Sequence, residues 1–483
     1  MKKLLQKLLL ASIVFGSANA TTNKTFLLPR SHGVNLAMEY TTWNELINMP
    51  KEDRFGANFQ ATVFYQDSSE SDDLGKYFAF QNKNIVKLGN VGEDLTHAFI
   101  FHDSAVTINT ETTIKLDPDQ SAWGVRIDYY QDLEKILKGL YLKAALPIVN
   151  VDNDVRLGVS DSNGFLTDAN VTDYFKGTFL NTAAANINKQ DGLTKAKFTG
   201  SHSETSVADI DFVIGYKFLD KEKYHMSINL GLTIPTGTDP DGIDIFEAVV
   251  GNGNHWGFGG GLDFGATLWD GDDQNIKFTS ALNYRYIFES SETRTLGLKN
   301  TAGTLLDWGQ YYLVGKVGDT SGTPAANILT TSVDVEPGSQ LDFIAALAYN
   351  NGGFSIDLGY NLFWKDHEDV SLKNWTDDVY GLIANRHDMT TALTLVGEHW
   401  SNGTVNSAQA YDVAGTIKIN KANIDTGVAE TESSVTHKIY GGLGYIFKEW
   451  EYPLMLGVAG HYEFADNDGI ENWGIWGKLG IAF

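Results

Sequence analysis

Five consecutive residues, His399-Trp400-Ser401-Asn402-Gly403, bring together an imidazole, a hydroxyl and an amide. These are side-chain types that nucleophilic acyl chemistry uses. Two acidic clusters are the other compact groups: Asp239, Asp241, Asp244 and Glu247, and then Asp466 and Asp468 before Gly469. Calcium takes roughly six to eight oxygens, and the EF-hand spacing is absent from both clusters. Asp and Asn are ordinary turn residues, which is the simpler account of them. The sequence contains no cysteine, so disulfides, thiolate catalysis, iron–sulfur clusters and cysteine-bound zinc are excluded. A further set of charged residues recurs at alternate positions inside long apolar segments. What it does depends on the elements that carry it.

The chain opens with Lys2, Lys3 and Lys7, a short apolar run from Leu8 to Phe15, and Ala18-Asn19-Ala20. That order is the pattern of a secretory signal peptide over residues 1–20, cleaved before Thr21. The apolar run is shorter than the roughly 20 residues a spanning helix needs, and no later stretch reaches that length. Removing 20 of 483 residues leaves 463, and removing three lysines takes the charge from 36 − 61 = −25 to 33 − 61 = −28. So acidic a chain lacks the electrostatic footprint of a nucleic-acid binder. The 49 glycines, 58 aromatic residues (26 + 21 + 11) and only nine prolines favour all-β structure over disorder.

Period-two alternation supplies the elements. Trp256, Phe258, Gly260, Leu262, Phe264, Ala266 and Leu268 share one face, opposite His255, Gly257, Gly259, Gly261, Asp263, Gly265 and Thr267. Phe278, Leu282, Tyr284 and Tyr286 oppose Lys277, Asn283 and Arg285 in the same way, as Ile356, Leu358 and Tyr360 oppose Asp357 and Asn361. Twelve such strands are predicted near 54–66, 121–131, 139–151, 205–218, 224–235, 254–269, 275–289, 339–350, 354–366, 435–447, 452–465 and 471–483. Most exceed the roughly nine to eleven residues of a tilted membrane strand. Connections are short after even-numbered strands and mostly long after odd-numbered ones. That is the wiring of a transmembrane antiparallel β-barrel with periplasmic turns and external loops. Segments 388–398 and 409–419 raise the alternative count to fourteen without changing parity. Residues 21–53 precede the first strand as a periplasmic segment or plug, and 54–483 form the barrel.

Counting back from Phe483, Ile481, Leu479, Gly477, Ile475 and Trp473 share one face. This resembles the terminal strand of Gram-negative outer-membrane β-barrels, and the resemblance implies outer-membrane lipid and the barrel-assembly machinery as partners. Hydrocarbon leaves no partner for free backbone groups, so such a sheet closes on itself, apolar face outward. Tyr129, Tyr216, Tyr286, Trp364 and Trp473 fit interfacial girdles. Pro147, Pro235 and Pro453 are placed at strand ends, where a missing N–H is tolerated.

The inward face is then the candidate solute-contacting surface. Its predicted pore-lining cations are Arg126, Lys143, Lys217, Lys277, Arg285, Lys365, Lys438 and Lys478. Its anions are Asp128, Asp209, Asp211, Asp263, Glu289, Asp342, Asp357 and Glu463, with His225, Asn229, Asn283, Asn361 and His461 as neutral polar groups. Eight charges of each sign make a balanced wall. Twelve strands give a backbone diameter of roughly 24 Å, reduced by side chains to roughly 12–14 Å. The expected function is passive or facilitated diffusion of small solutes, with no cofactor and no covalent chemistry. A barrel sealed by its charges and loops is the structural alternative.

Two further resemblances name other activities. Ile234-Pro235-Thr236-Gly237, Gly251-Asn252-Gly253 and the glycine-rich strand from Trp256 resemble channel-like outer-membrane proteins of aromatic-compound degradation, which implies a hydrophobic solute. The His-x-Ser-Asn-Gly segment is similar to that of outer-membrane phospholipase A. That resemblance implies His399 as base and Ser401 as nucleophile on a lipid ester. The family's orienting Asn, about a dozen residues on, is replaced by Val413, with Asp412 one short and Asn406 too near, and its Arg by Thr404.

Overall fold

The computed structural model describes residues 23–42, 56–69, 71–89, 93–101, 111–162, 167–179, 190–300, 302–317, 321–382, 393–394, 404–405, 417–467 and 469–483. The predicted signal peptide and the pair His399 and Ser401 lie outside the described residues.

Twelve antiparallel strands form a closed barrel. They are β1 (Ala57–Ser68), β2 (Asp119–Asp132), β3 (Leu140–Asp154), β4 (Ile210–Lys221), β5 (Tyr224–Ile234), β6 (Gly257–Asp270), β7 (Gln274–Ile287), β8 (Gly338–Asn351), β9 (Phe354–Lys365), β10 (Ser434–Phe447), β11 (Leu454–Asn467) and β12 (Asn472–Ala482). Each strand follows a predicted run. The ladder Asn58↔Ala482 to Ser68↔Asn472 joins first strand to last. Closure leaves the barrel without an edge, as hydrocarbon demands. The faces fall as the alternation requires: Leu358 and Ile475 are 63% and 54% exposed, while Asn361 and Lys478 are 0% and 4%. The chain is an outer-membrane-type β-barrel. No helix among the described residues is long and apolar enough to cross a membrane.

The fourth predicted strand is divided. His202–Val207 runs beside residues 148–153 of β3, and β4 runs beside residues 140–145. Pro147 lies opposite the break. It is inside β3 and not at a strand end as its spacing suggested, and with no N–H it cannot continue the ladder. The count of fourteen is not realised, because β9 pairs directly with β10. Among the described residues of that region, Leu393–Thr394 pairs with Thr404–Val405, and Ile417–Lys418 joins a small sheet with Tyr380–Leu382.

The described parts of the long connections pack together. They build a cap over one end of the barrel, with helices α2 (Ser71–Phe78) and α3 (Asp168–Lys176) and several small sheets. Its core is aromatic: Phe78, Phe80, Phe175, Phe198, Trp308 and Tyr311 are fully buried. Trp308 meets Phe80 and Phe175 edge-on at 5.4 and 5.5 Å, geometries in which ring edges face ring faces. The indole Nε1 donates to the Phe78 carbonyl at 2.9 Å, which satisfies its polar atom.

Residues 23–42 run from this cap down into the barrel. Asn23 is held at the top by Trp308 and Leu306, while Thr42 reaches Asp357 near the short-turn end of β9.

Candidate lumen site

Polar wall residues meet this inserted segment from several sides. Arg30 donates to Asn361 Oδ1 and Asp342 Oδ2, both at 2.8 Å, and lies 3.7 Å from Glu463. Lys438 pairs with Glu463 at 3.0 Å, and His461 contacts Asn472 at 2.8 Å. Lys365 donates to the Leu28 carbonyl at 2.6 Å. Arg126 donates to the carbonyls of Gly33 and Asn35 while paired with Asp128 and Glu39.

The short helix α1 (Leu36–Tyr40) is held at both ends. Asn35 accepts from the Met38 N–H, and Lys478 donates to the carbonyls of Met38, Glu39 and Thr41. A cation at a helix C-terminus answers the unpaired carbonyls and the dipole together. Gly33 packs on Pro147 so closely that an added Cβ would lie 2.8 Å from its ring.

The predicted pore-lining residues thus meet two environments, with Lys143 and Asp263 in both. Arg126, Asp128, Lys143, Asp342, Asp357, Asn361, Lys365, Lys438, Glu463 and Lys478 meet the segment or a wall residue that does. His461 is buried and joins this set through Asn472, which donates to Glu463. Asp211, Lys217, Asp263, Lys277, Asn283 and Arg285 face remaining space. Asp209 is buried at the break beside Pro147. Glu289 departs from its expected place: it follows the end of β7 and is exposed. An open bore of 12–14 Å is also corrected, because the inserted segment fills most of the lumen. The space that remains includes a cavity of about 40 Å³ beside Arg30 and Lys438 and two larger ones, of about 100 Å³ and about 230 Å³.

Both larger cavities lie along the wall of β4 to β7. The inward face of β6 there is Gly257, Gly259, Gly261, Asp263 and Gly265. Neighbouring side chains fold across these glycines: a Cβ at Gly261 would overlap Asn283 Oδ1 at 2.0 Å, and one at Gly265 would overlap the His225 ring at 2.2 Å. Missing side chains and folded-back neighbours together leave the space.

The cavities share Tyr40, Tyr130, Lys143 and Asp263. These residues form a layer between them. The Tyr40 hydroxyl donates to Asp263, which also accepts from Asn229 at 3.0 Å and from Tyr141 and Ser227 at 3.3 Å. Lys143 pairs with Glu39 at 3.1 Å and lies 5.2 Å from the Tyr40 ring centre. On the cap side, Arg285 faces Asp211 at 3.6 Å, and Thr233 donates to Asp211 at 2.6 Å.

Where the segment leaves the cap, a second charge cluster is fully buried. His255 Nε2 contacts Glu292 at 2.6 Å, and its Nδ1 contacts the Phe288 carbonyl at 2.7 Å. Arg294 donates to the other Glu292 oxygen at 2.5 Å, reaches Glu368 at 3.4 Å, and lies 3.2 Å over the Phe26 ring. Burial alone would depress the His255 pKa, but the hydrogen bond and charge of Glu292 raise it above the usual value. In the nearby loop, burial pushes the Glu247 carboxyl up to about 8, against the pull of the Asp241 and Gly242 N–H groups it accepts from. That loop is the acidic cluster of the sequence. Asp241 and Glu247 there accept from local backbone N–H groups, and Asp244 accepts from the Thr199 hydroxyl at 2.5 Å.

Arg30, Gly33, Glu39 and Tyr40 were not anticipated as site residues. They belong to a segment without strand alternation. The only local signal is the capping residue Asn35 ahead of Leu36–Tyr40.

No family model matches the chain, and no curated protein matches it. Among solved structures it is similar to the COG4313 outer membrane channel from Pseudomonas putida F1, at 10% identity and a TM-score of 0.37, covering 90% of this chain and 100% of that one. It is also similar to the Pseudomonas putida toluene transporter TodX, at 10% identity and a TM-score of 0.31, covering 96% and 95%. A FadL homologue of Pseudomonas aeruginosa matches at 8% identity and a TM-score of 0.27, covering 89% and 90%. Scores this low leave the reading of the lumen to the chain's own residues.

Proposed function

We propose that this chain is an outer-membrane channel for passive or facilitated diffusion of small solutes, without covalent chemistry. The observation that supports it is the pair of cavities along one glycine-lined wall, separated by the single layer of Tyr40, Asp263, Lys143 and Glu39. A wall designed only to seal would fill these inward positions with side chains, as small barrels do. The route follows β6, and the layer sets its constriction. Conductance of the purified protein in planar bilayers tests this. The intact chain is expected to give small discrete steps, and Asp263→Ala larger ones. Gly261→Val, which drives Asn283 and Asn229 into the path, is expected to reduce them.

The sealed structural barrel remains the second reading, supported by the inserted segment and the apolar cap. Reconstituted protein that conducts no ions and does not swell liposomes, with Asp263→Ala equally silent, would establish it in place of the channel. Phospholipid hydrolysis that disappears in Ser401→Ala would instead make the chain an esterase.

A further inference from the structure

The cavity of about 230 Å³ lies at the short-turn end of the barrel, below the Tyr40–Asp263 layer. Its walls carry Lys143, Lys217, Lys221, Lys223 and Lys277, against Asp220, Glu222 and Asp263. The whole chain has 61 acidic residues and 36 basic ones, so an excess of lysine here runs against the composition. Lys217 and Lys277 are inward positions on β4 and β7, placed there by strand alternation. Lys217 stands 3.6 Å from Asp220, beyond hydrogen-bond length, with its side chain only 11% exposed.

The inner end of the cavity is different in character. Tyr40, Tyr130 and Tyr141 line it, the last two stacked with centroids 5.5 Å apart. Stacked rings present an apolar, polarisable surface, while the lysines present ammonium groups several residues away. A ligand that satisfies both has an anionic end and an apolar or aromatic body. The volume falls below the roughly 300–1,000 Å³ of pockets that hold drug-sized ligands, so that ligand is small.

We propose that this cavity binds small organic carboxylates, with the carboxylate among Lys217, Lys277 and the turn lysines and the body against Tyr130 and Tyr141. Its transport role rests on the channel reading, but binding itself does not. The two are therefore measured separately, by calorimetric titration of the detergent-solubilised barrel and by bilayer conductance.

Benzoate, benzylamine and inorganic phosphate are the probes. Benzoate is expected to bind, benzylamine to give no heat, and phosphate to bind more weakly than benzoate. The double variant Lys217→Gln with Lys277→Gln is expected to weaken benzoate binding about tenfold or more, as loss of charge-assisted hydrogen bonds does. Lys176→Gln, in the cap, is expected to leave it unchanged. Heat-modifiable mobility on semi-native gels checks that the double variant is folded, and Lys277→Gln alone replaces it where it is not. Benzoate affinity that is unaltered in the lysine variants overturns the site. Equal binding of benzylamine overturns its charge preference, and phosphate binding as tightly as benzoate overturns the role of the tyrosines. A silent bilayer with lysine-dependent benzoate binding keeps the site and removes the channel.

Discussion

His255, Glu292, Arg294 and Glu368 form a cluster in which each charge is held by another. Taking ions out of water is costly, and their mutual attraction and hydrogen bonds repay it only while the set is complete. Glu292→Gln leaves both His255 and Arg294 without their shared carboxylate. It is expected to destabilise the cap by about 3–5 kcal/mol, measured as faster hydrogen exchange and lost protection of residues 290–300. Titration acts in a definite direction. His255 has a raised pKa in the fold, so its contribution is complete below about 6.5 and is lost as pH rises through the higher folded value. Glu247 is raised to about 8, so the folded state favours its neutral form and that advantage also fades as pH rises towards 8. Both groups point the same way. Hydrogen exchange in the cap is expected to show less protection at pH 9 than at pH 6 beyond the intrinsic rate change, with a smaller difference in His255→Gln. An equal or reversed dependence would contradict the ion-pair account.

The elements differ in how much of them the sequence revealed. The strands β1 to β12 were legible because lipid on one side and a polar interior on the other impose one alternation on every strand. Register followed for the same reason. A slip of one residue at Leu282 and Asn283 exchanges the two faces. A single cysteine at each position tests this, since the native chain has none. The reagent methanethiosulfonate ethylammonium is expected to modify Asn283→Cys and spare Leu282→Cys. The break opposite Pro147 was not legible, because alternation continues on both sides of Ala208 and Asp209. Nor was the cap, whose core joins the short helical faces of Leu74, Tyr77 and Phe78 and of Val171, Tyr174 and Phe175 to residues such as Trp308 from connections without a period. A segment or plug ahead of β1 was read over 21–53, but its contacts were the least visible, since its partners are scattered from Arg126 to Lys478. Deleting residues 23–42 removes Arg30, Glu39 and Tyr40 together. The barrel ladders do not depend on them, so the deletion is expected to leave heat-modifiable mobility intact and to raise single-channel conductance several-fold.

At the scale of the whole molecule, the barrel, the cap and the segment divide the work. The barrel isolates a polar interior from hydrocarbon, with exposed Leu358 and Ile475 outside and buried Asn361 and Lys478 within. The cap covers one end with a core that belongs to a globular domain, and the segment ties cap to wall through Asn23 and Arg30. Wall charge that read as balanced is in fact largely consumed by this tie. Asp211, Lys217, Lys277 and Arg285 border the cavities from β4 and β7, and this asymmetry is the molecule's main departure from an evenly lined pore.

The passage of residues 23–42 through a closed ring of strands has a consequence for the order of assembly. The ring is completed where β1 meets β12, so its closure joins the earliest strand of the barrel to the latest. Once those eleven paired positions are made, a free end threads the ring only by sliding lengthwise through it. The segment is therefore expected to be lodged before the ends meet, with the ring zipping shut around it. A compact folded domain fused ahead of Asn23 is too wide to enter, whereas one fused after Phe483 is indifferent to the threading. Pulse-labelled assembly should then show the first fusion stalling as an unclosed, protease-sensitive species and the second closing at the normal rate. Equal closure of both, with the segment still protected inside, would mean that the topology places no constraint on when the chain enters.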